Sequence, residues 1–172
     1  MTWPFKKHLI VTSLVLYRAN RKYKGNPKNQ HKPNYSHIWQ AAKEEKLMAK
    51  ILIVDDSAFL AKKIKTFVEG VGHEVIALAE DGIQAVEMYR LHQPDLVTLD
   101  ITMPNKDGLD CLMEILDFDK DANAIIVSAI DDKKVIVDCL NLGAKGFIEK
   151  PLKFKDQEFC TKFNTALTNA LH

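Results

Sequence analysis

From residue 50 onward, short apolar runs alternate with segments whose apolar residues repeat at helical spacing. This alternation predicts parallel strands joined by right-handed helical crossovers. The apolar runs are nearly unbroken, as expected for strands that are buried on both sides. We therefore predict an α/β fold with a doubly wound, five-stranded parallel sheet and helices on both faces. The predicted strands are residues 51–54, 75–79, 96–99, 124–127 and 146–149.

The intervening segments have recognisable helix ends. Ser57 can cap the first helix and Asp81 can open the second, which Pro94 stops. The fourth helix is predicted over 131–142 and the last over 156–171. The buried face of the third helix is expected to consist of Leu109, Leu112, Met113 and Leu116.

Candidate site residues follow four of the five predicted strands. Asp55 and Asp56 follow the first strand, Asp100 the third, Ser128 the fourth and Lys150 the fifth. In open α/β sheets, ligands bind outside the carboxyl ends of the strands, so these side chains should meet at one edge. Three neighbouring carboxylates repel one another unless a cation intervenes, and Mg²⁺ prefers oxygen ligands. The sequence therefore predicts a magnesium site beside a lysine.

Such a site suits phosphoryl transfer onto a carboxylate. Asp100 stands alone at the end of a central strand and is the candidate nucleophile, while Mg²⁺ and Lys150 would spread the charge on the phosphoryl oxygens. Ser128 could hydrogen-bond one of those oxygens. Each residue also has a purely structural interpretation: the acidic pair as a helix cap, Asp100 as a turn residue, Ser128 as a backbone-bonded hydroxyl and Lys150 as a solvated charge. Their coincidence at one edge favours the site.

Charge divides the chain into two unlike parts. Residues 1–47 carry ten Lys or Arg and two Glu, net +8, whereas residues 48–172 carry fourteen Lys or Arg and twenty-one Asp or Glu, net −7. Met48 directly precedes the first strand, where an initiator methionine would be natural. We expect residues 1–47 to be a basic extension, disordered or absent from the native protein, and residues 48–172 to be the domain. The alternative is a basic arm that touches membrane or nucleic acid.

Cysteine spacing and hydropathy restrict the classes of protein to which the chain can belong. Cys111, Cys139 and Cys160 lie far apart and include no CxxC pair, so we expect reduced thiols in a cytoplasmic protein. The apolar run 9–17 is too short for a membrane span, which needs about 20 residues. The acidic body of the protein disfavours a uniformly basic nucleic-acid binder.

Several motifs, in this order and at these spacings, resemble the receiver domain of two-component response regulators over about residues 49–171. The resemblance implies a flavodoxin-like fold with strand order 2-1-3-4-5. The motifs are Asp55-Asp56-Ser57, residues 99–104 followed by Asp107-Gly108, Ser128-Ala129, and Gly143-Ala144 followed by residues 147–151.

The resemblance also implies a role for each residue of the pocket. Asp100 would be the phosphoacceptor. Asp56 and Asp100 would bind Mg²⁺ directly, with the backbone carbonyl of Thr102 as a third ligand. Asp55 would orient a metal-bound water, and Lys150 would contact the phosphoryl group.

Two further residues are implied to form a switch. Phosphorylation adds about −1.5 to −2 charges and three acceptor oxygens. Ser128 would move toward one of these oxygens, and Phe147, which lacks the hydroxyl of the tyrosine often found there, would turn inward. The surface formed by residues 131–142, 146–149 and 156–171 would then change shape for a downstream protein target.

The implied partners are a sensor histidine kinase or a phosphotransfer protein upstream and a protein target downstream. Few residues follow Pro151, so we expect no DNA-binding domain. The protein would be no enzyme beyond its own phosphorylation and dephosphorylation. A chemotaxis-type messenger is favoured, and a phosphorelay shuttle is the alternative.

Two rivals from other classes fit the residues less well. Aspartyl-phosphate hydrolases usually carry a second acidic residue two positions after the nucleophile, where this chain has Thr102. A carrier of flavin mononucleotide would need a phosphate loop rich in Ser, Thr and Gly after the first strand. The chain has Asp55 and Asp56 there, and both would repel that phosphate.

Overall fold

The computed structural model describes residues 48–172, which form a parallel sheet with helices on both faces. Residues 1–47, which are the predicted basic extension, lie outside the described residues. The strands are β1 (Lys50–Val54), β2 (Glu74–Ala79), β3 (Leu96–Leu99), β4 (Ala124–Ser128) and β5 (Gly146–Glu149). The helices are α1 (Ala58–Gly70), α2 (Gly82–His92), α3 (Gly108–Phe118), α4 (Lys133–Leu142) and α5 (Gln157–Ala170).

The sheet confirms the predicted order. Its strands run β2-β1-β3-β4-β5, and every adjacent pair is parallel. β3 is therefore the central strand, and all of its residues are buried. The strands β2 and β5 lie at the edges and are only partly buried, because each has a neighbour on one side alone.

The two faces of the sheet have separate apolar cores. Ile51, Ile53 and Ile125 point toward the face covered by α1 and α5, where Phe163 is fully buried. The opposite face packs against α2, α3 and α4. This alternation follows from the strand period of two, which sends successive side chains to opposite faces.

Two local predictions were wrong. Met113 is 42% exposed, and α3 instead buries Gly108, Cys111, Leu112 and Ile115. This stripe has the same spacing as the predicted face but lies one position earlier, so the helix is rotated about its axis relative to the prediction. The helix α4 begins at Lys133 rather than at residue 131. Its N-cap is Asp132, whose side chain accepts a hydrogen bond from the Lys134 amide and so fixes the helix start.

The described helices are short or amphipathic. Within residues 48–172, none is long and apolar enough to cross a bilayer.

Candidate functional site

The carboxyl edge of the sheet brings three aspartates together. One carboxylate oxygen from each of Asp55, Asp56 and Asp100 lies within 4.8 Å of the others. The Asp55 amide donates to Ala79 O at 3.1 Å and the Asp100 amide donates to Val54 O at 2.9 Å, so the sheet ladder continues through both residues. Asp55 is 1% and Asp100 is 5% exposed, whereas Asp56 faces solvent.

Lys150 joins two of these carboxylates. Its Nζ lies 2.7 Å from Asp100 Oδ2, to which it donates a hydrogen bond, and 2.9 Å from Asp55 Oδ2. The side chain is 10% exposed, so the solvated interpretation of this lysine was wrong. Its backbone amide donates to Ser128 O at 2.8 Å, which places Lys150 directly after the β4–β5 pairing. The predicted meeting of Asp55, Asp56, Asp100 and Lys150 is confirmed.

Asp55 has a second, structural task. Its Oδ1 accepts a hydrogen bond from the Ser57 amide at 2.9 Å, and Ser57 in turn caps α1 through the Leu60 amide. The capping interpretation therefore holds for Asp55 together with the site interpretation, because each uses a different carboxylate oxygen.

Burial sets the electrostatics of the pocket. Desolvation raises the pKa of Asp55 above its ordinary value, although contact with Lys150 partly opposes the rise. Desolvation alone would lower the pKa of Lys150, but its contacts with Asp100 and Asp55 outweigh that effect and raise the pKa. Lys150 is therefore held as a cation. Because ionised Asp55 is destabilised by burial, a further positive charge nearby would stabilise it.

The donor set fits a small divalent cation. All three acidic side chains offer hard oxygen ligands, and their formal charge of −3 exceeds the +1 of Lys150 by two units. Asp55 Oδ2 is buried and has no hydrogen-bond partner within residues 48–172, its contact with Lys150 being an ion pair. Mg²⁺ typically uses one or two carboxylates and keeps several waters, which suits the exposed position of Asp56.

The remaining predicted residues lie around this cluster. Ser128 ends β4, is fully buried, and accepts a long contact of 3.5 Å from the Ile130 amide. Thr102 is exposed, and its amide donates to Asp100 Oδ1 at 3.4 Å. Phe147 lies in β5 and packs partly buried against the core beneath α4. Their proposed roles depend on ligands and are taken up below.

Gly108 supports the pocket for a steric reason that the sequence alone did not reveal. A Cβ atom at this position would lie 2.1 Å from Asp100 O and 2.8 Å from Ile101 Cα. The Gly108 amide also donates to Ile101 O at 2.9 Å. The start of α3 therefore touches the backbone of Asp100, and any side chain here would displace it.

The loop after Asp100 is also fastened to α2, through residues that the sequence reasoning missed. Asn105, which has a φ of 63°, donates its side-chain amide to Asp81 Oδ2 at 2.8 Å. The Asp81 pKa lies below its ordinary value because the Gln84 amide and Asn105 both donate to the carboxylate. The Gly82 amide donates to Lys106 O at 3.2 Å. Turn residues at 81–82 and 104–108 were visible in the sequence, but their pairing across 24 positions was not.

Comparison with known proteins agrees with this geometry. Residues 51–162 match the family described as response regulator receiver domain. The chain belongs to this family. A chemotaxis protein CheY of Bacillus subtilis (strain 168) is 49% identical over 104 residues, which cover 60% of this chain and 87% of that relative. A CheY of Treponema pallidum (strain Nichols) is 45% identical over 108 residues, covering 62% and 75%.

Solved structures of receiver domains show the same fold. A CheX–CheY–BeF3–Mg complex from Borrelia burgdorferi matches with a TM-score of 0.66 and 40% identity, covering 72% of this chain and 89% of that one. The response regulator domain of Thermotoga maritima CheB matches with a TM-score of 0.63 and 30% identity, covering 71% and 95%. The predicted resemblance to receiver domains is thereby confirmed.

Proposed function

We propose that Asp100 accepts a phosphoryl group from the phosphohistidine of a sensor histidine kinase or phosphotransfer protein. The resulting phosphoaspartate then changes the affinity of the domain for a downstream protein. The observation that supports the proposal is the contact of Lys150 Nζ with Asp100 Oδ2 at 2.7 Å, beside the carboxylates of Asp55 and Asp56.

The chemical step is an exchange of one phosphorus bond for another. A carboxylate oxygen of Asp100 attacks phosphorus, the phosphorus–nitrogen bond breaks, and the electron pair returns to the imidazole of the donor. Charge spreads over the phosphoryl oxygens as this happens, and electrostatic positioning supplies most of the catalysis. Lys150 is already beside Asp100 as a cation, so it stabilises those oxygens without rearranging.

A bound Mg²⁺ belongs to this proposal. The ligands would be Asp56, Asp100 and the backbone carbonyl of Thr102, with Asp55 orienting a metal-bound water. When bound, the ion neutralises charge on the phosphoryl oxygens. The fit of the acidic cluster to a hard cation supports this assignment, as does the solved complex of a Borrelia burgdorferi CheY with CheX, BeF3 and Mg.

The response is proposed to pass through Ser128 and Phe147. Among the contacts of residues 48–172, the Ser128 oxygen accepts a long one from the Ile130 amide at 3.5 Å, and a phosphoryl oxygen would be an acceptor for its proton. Movement of Ser128 leaves space that Phe147 fills by turning inward. The surface of α4, β5 and α5 then changes for a partner, whose differential affinity for the two states sets how far the population shifts.

We favour a chemotaxis-type messenger, because chemotaxis proteins named CheY are among the relatives at 45–49% identity. The phosphorelay shuttle, which would pass the group on to another histidine, is the second candidate. In both cases the domain signals by protein contacts and catalyses only its own phosphorylation and dephosphorylation.

Incubation with acetyl phosphate and Mg²⁺, followed by intact-mass spectrometry, tests the acceptor. We expect the mass of one added phosphoryl group, removed by hydroxylamine because an acyl phosphate is cleaved by it. The adduct should be absent from Asp100→Asn and from a sample treated with EDTA. Asp117→Asn is the matched control, because its side chain is 82% exposed. An adduct on Asp100→Asn, or none on the unaltered chain, would contradict the proposal.

Beryllofluoride with Mg²⁺ tests the switch separately. NMR should show shifts at Phe147 and along α4 in the unaltered chain, and these distant shifts should be lost in Ser128→Ala. Shifts confined to the residues around Asp100 would reject the roles of Ser128 and Phe147 while leaving the acceptor proposal intact.

A further inference from the structure

The β3–α3 loop, residues 101–107, carries the Thr102 carbonyl that is proposed above to bind Mg²⁺. The loop has no helix or strand of its own. It is held at its first end by Asp100, whose amide continues the sheet ladder, and at its last end by the Gly108 amide, which donates to Ile101 O at 2.9 Å. The position of the Thr102 carbonyl therefore depends on what holds the middle of the loop.

The middle of the β3–α3 loop is tied to the start of α2. Asn105 donates its side-chain amide to Asp81 Oδ2 at 2.8 Å, and the Gly82 amide donates to Lys106 O at 3.2 Å. A Cβ atom on Gly82 would lie 2.7 Å from Lys106 O, so the two backbones are in close contact. We call the hydrogen bond between Asn105 and Asp81 the loop clamp.

Asp81 is itself fixed in place. It lies two residues after β2 and is 9% exposed. Its Oδ1 accepts a hydrogen bond from the Gln84 amide at 2.8 Å, so this carboxylate is also the N-cap of α2. One oxygen thus orients the carboxylate and the other holds Asn105, which couples the loop to the start of α2.

The other contacts of the β3–α3 loop restrain it less. The Lys106 ammonium pairs with Glu114 of α3, but the pair is partly exposed and joins two long side chains, so it holds the backbone weakly. Met103 packs partly buried against the core. The Thr102 carbonyl accepts no hydrogen bond from residues 48–172, which leaves it available to a cation. Its position therefore depends mainly on the contacts with α2.

We propose that Asp81 and Asn105 are positioning residues for Mg²⁺, because the loop clamp holds Thr102 where its carbonyl can join the acidic cluster as a ligand. This inference rests on the magnesium ligands of the proposed function and adds two residues that lie outside the cluster. Without the clamp the loop must be ordered when the ion binds, and that ordering weakens the affinity. Partners that orient a metal ligand typically change metal affinity by about 10–100-fold when they are removed.

An exchange of the two side chains tests the loop clamp. Asn105→Ala removes the donor, and Asn105→Asp sets two carboxylates against each other. Adding Asp81→Asn to Asn105→Asp restores one donor and one acceptor in the reverse sense, keeps an oxygen for the Gln84 amide and leaves the net charge unchanged. Asp, like Asn, tolerates the φ of 63° found at position 105.

The readout is the affinity for Mg²⁺ without any phosphodonor, measured by NMR titration of the backbone amides around Asp100. We expect the Kd to rise about tenfold in Asn105→Ala and to return to within about threefold of its original value in the exchanged double variant. Asn105→Asp alone should also bind more weakly, although its added negative charge favours a cation. Equal affinity in all variants, or no recovery on exchange, would overturn the proposal.

Tyr89→Phe is the matched control for stability. It removes the hydrogen bond from Tyr89 Oη to Asp119 Oδ2 at 2.7 Å, toward the other end of α2, and leaves the β3–α3 loop untouched. The Mg²⁺ affinity of this variant should be unchanged. A loss of affinity equal to that of Asn105→Ala would mean that general destabilisation explains the effect, and the loop clamp would be rejected.

The acetyl phosphate reaction separates this proposal from the preceding one. At saturating Mg²⁺, Asn105→Ala should acquire the phosphoryl adduct within about twofold of the unaltered rate, because only the binding of the ion is weakened. At Mg²⁺ concentrations below the Kd the same variant should react about tenfold more slowly. The expected order of Mg²⁺ affinities in a chain that takes no phosphoryl group would support the loop clamp and reject the acceptor alone. Normal phosphorylation with unchanged Mg²⁺ affinity in every variant would reject the loop clamp alone.

Discussion

Two neighbouring helices on the same face of the sheet are held very differently. The helix α3 has eleven residues and buries Gly108, Cys111, Leu112 and Ile115. The helix α4 has ten residues, all of them described, and buries Cys139 alone. Apolar positions of α4 that could have packed inward are exposed instead, with Leu140 at 44%.

Topology explains the difference. The helix α3 crosses from the central strand β3 to β4 and packs between α2 and α4. The helix α4 crosses from β4 to the edge strand β5, so among the described elements it has α3 on one side and no helix on the other. A helix at the end of the layer has less surface to bury, and local opening costs less where few apolar contacts are lost.

The difference between the helices fits the separate places proposed for the acceptor and the response. The proposed acceptor, Asp100, needs fixed geometry, and the start of the firmly packed α3 touches its backbone. The proposed response needs an element that can rearrange at small cost, and the sparsely buried α4 meets that need. The following predictions test whether this division between a fixed and a loosely held helix is real.

The largest effect is expected at the start of α3. Gly108→Ala introduces a Cβ 2.1 Å from Asp100 O, so the backbone of Asp100 must move. Overpacking against backbone should cost about 3 kcal/mol in the free energy of unfolding and suppress the phosphoryl adduct. Gly70→Ala is the control, because nothing lies within 4 Å of its Cβ position. Urea unfolding that ranks the two variants equally would remove the steric argument.

A matched pair of leucines compares the two helices directly. Leu112→Ala in α3 removes a side chain that is 0% exposed and should cost about 2–5 kcal/mol. Leu140→Ala in α4 removes the same atoms from a position that is 44% exposed and should cost less than about 1 kcal/mol. The free energies come from urea denaturation with unchanged m-values. Similar losses in both variants would show that α4 is as firmly packed as α3.

The loop between Asp100 and α3 gives a smaller effect. Asn105→Ala removes the hydrogen-bond donor to Asp81 Oδ2, and the Asp81 side chain is largely buried. It also puts Ala at a positive φ, a backbone conformation that Asn tolerates better than Ala does. We expect a loss of about 1–2 kcal/mol. Asn123→Ala removes a single hydrogen bond to Asp95 O at an exposed position and should cost less. Thermal unfolding of both variants measures the difference.

Much of the fold could be predicted from local patterns. The five apolar runs fixed the strands to within one residue, and Asp100 was correctly placed at the carboxyl end of β3 because strand ends are marked by the change from apolar to polar residues. The order of the strands came from the resemblance to receiver domains, since periodicity within a strand carries no information about its neighbours.

The rest depends on contacts between distant residues. Sequence predicted that Lys150 and Asp100 share an edge, but not that Lys150 also contacts Asp55 and is nearly excluded from solvent. The inward face of α3 was misjudged by one position at Met113, because the rotation of a helix about its axis depends on the helices packed beside it, here α2 and α4. The open cavity lined by α1 and the loop 152–156 joins segments more than 80 residues apart, which no local pattern connects.

The smallest effect uses two buried cysteines as reporters of local opening. Cys111 in α3 and Cys139 in α4 are both 0% exposed, and desolvation raises the pKa of each thiol, that of Cys111 to about 12. At neutral pH neither thiol reacts until its helix opens, because the thiolate is the nucleophile. The experiment uses a Cys160→Ser variant, which removes the half-buried third thiol. We expect a thiol reagent to label Cys139 about tenfold faster than Cys111. This ratio corresponds to a difference of ~1.4 kcal/mol between the free energies of local opening of the two helices. Peptide mass mapping over time identifies the labelled residue. Equal rates, or faster labelling of Cys111, would mean that α4 opens no more readily than α3, and the loosely held helix would then have to be sought elsewhere on the α4–β5–α5 surface.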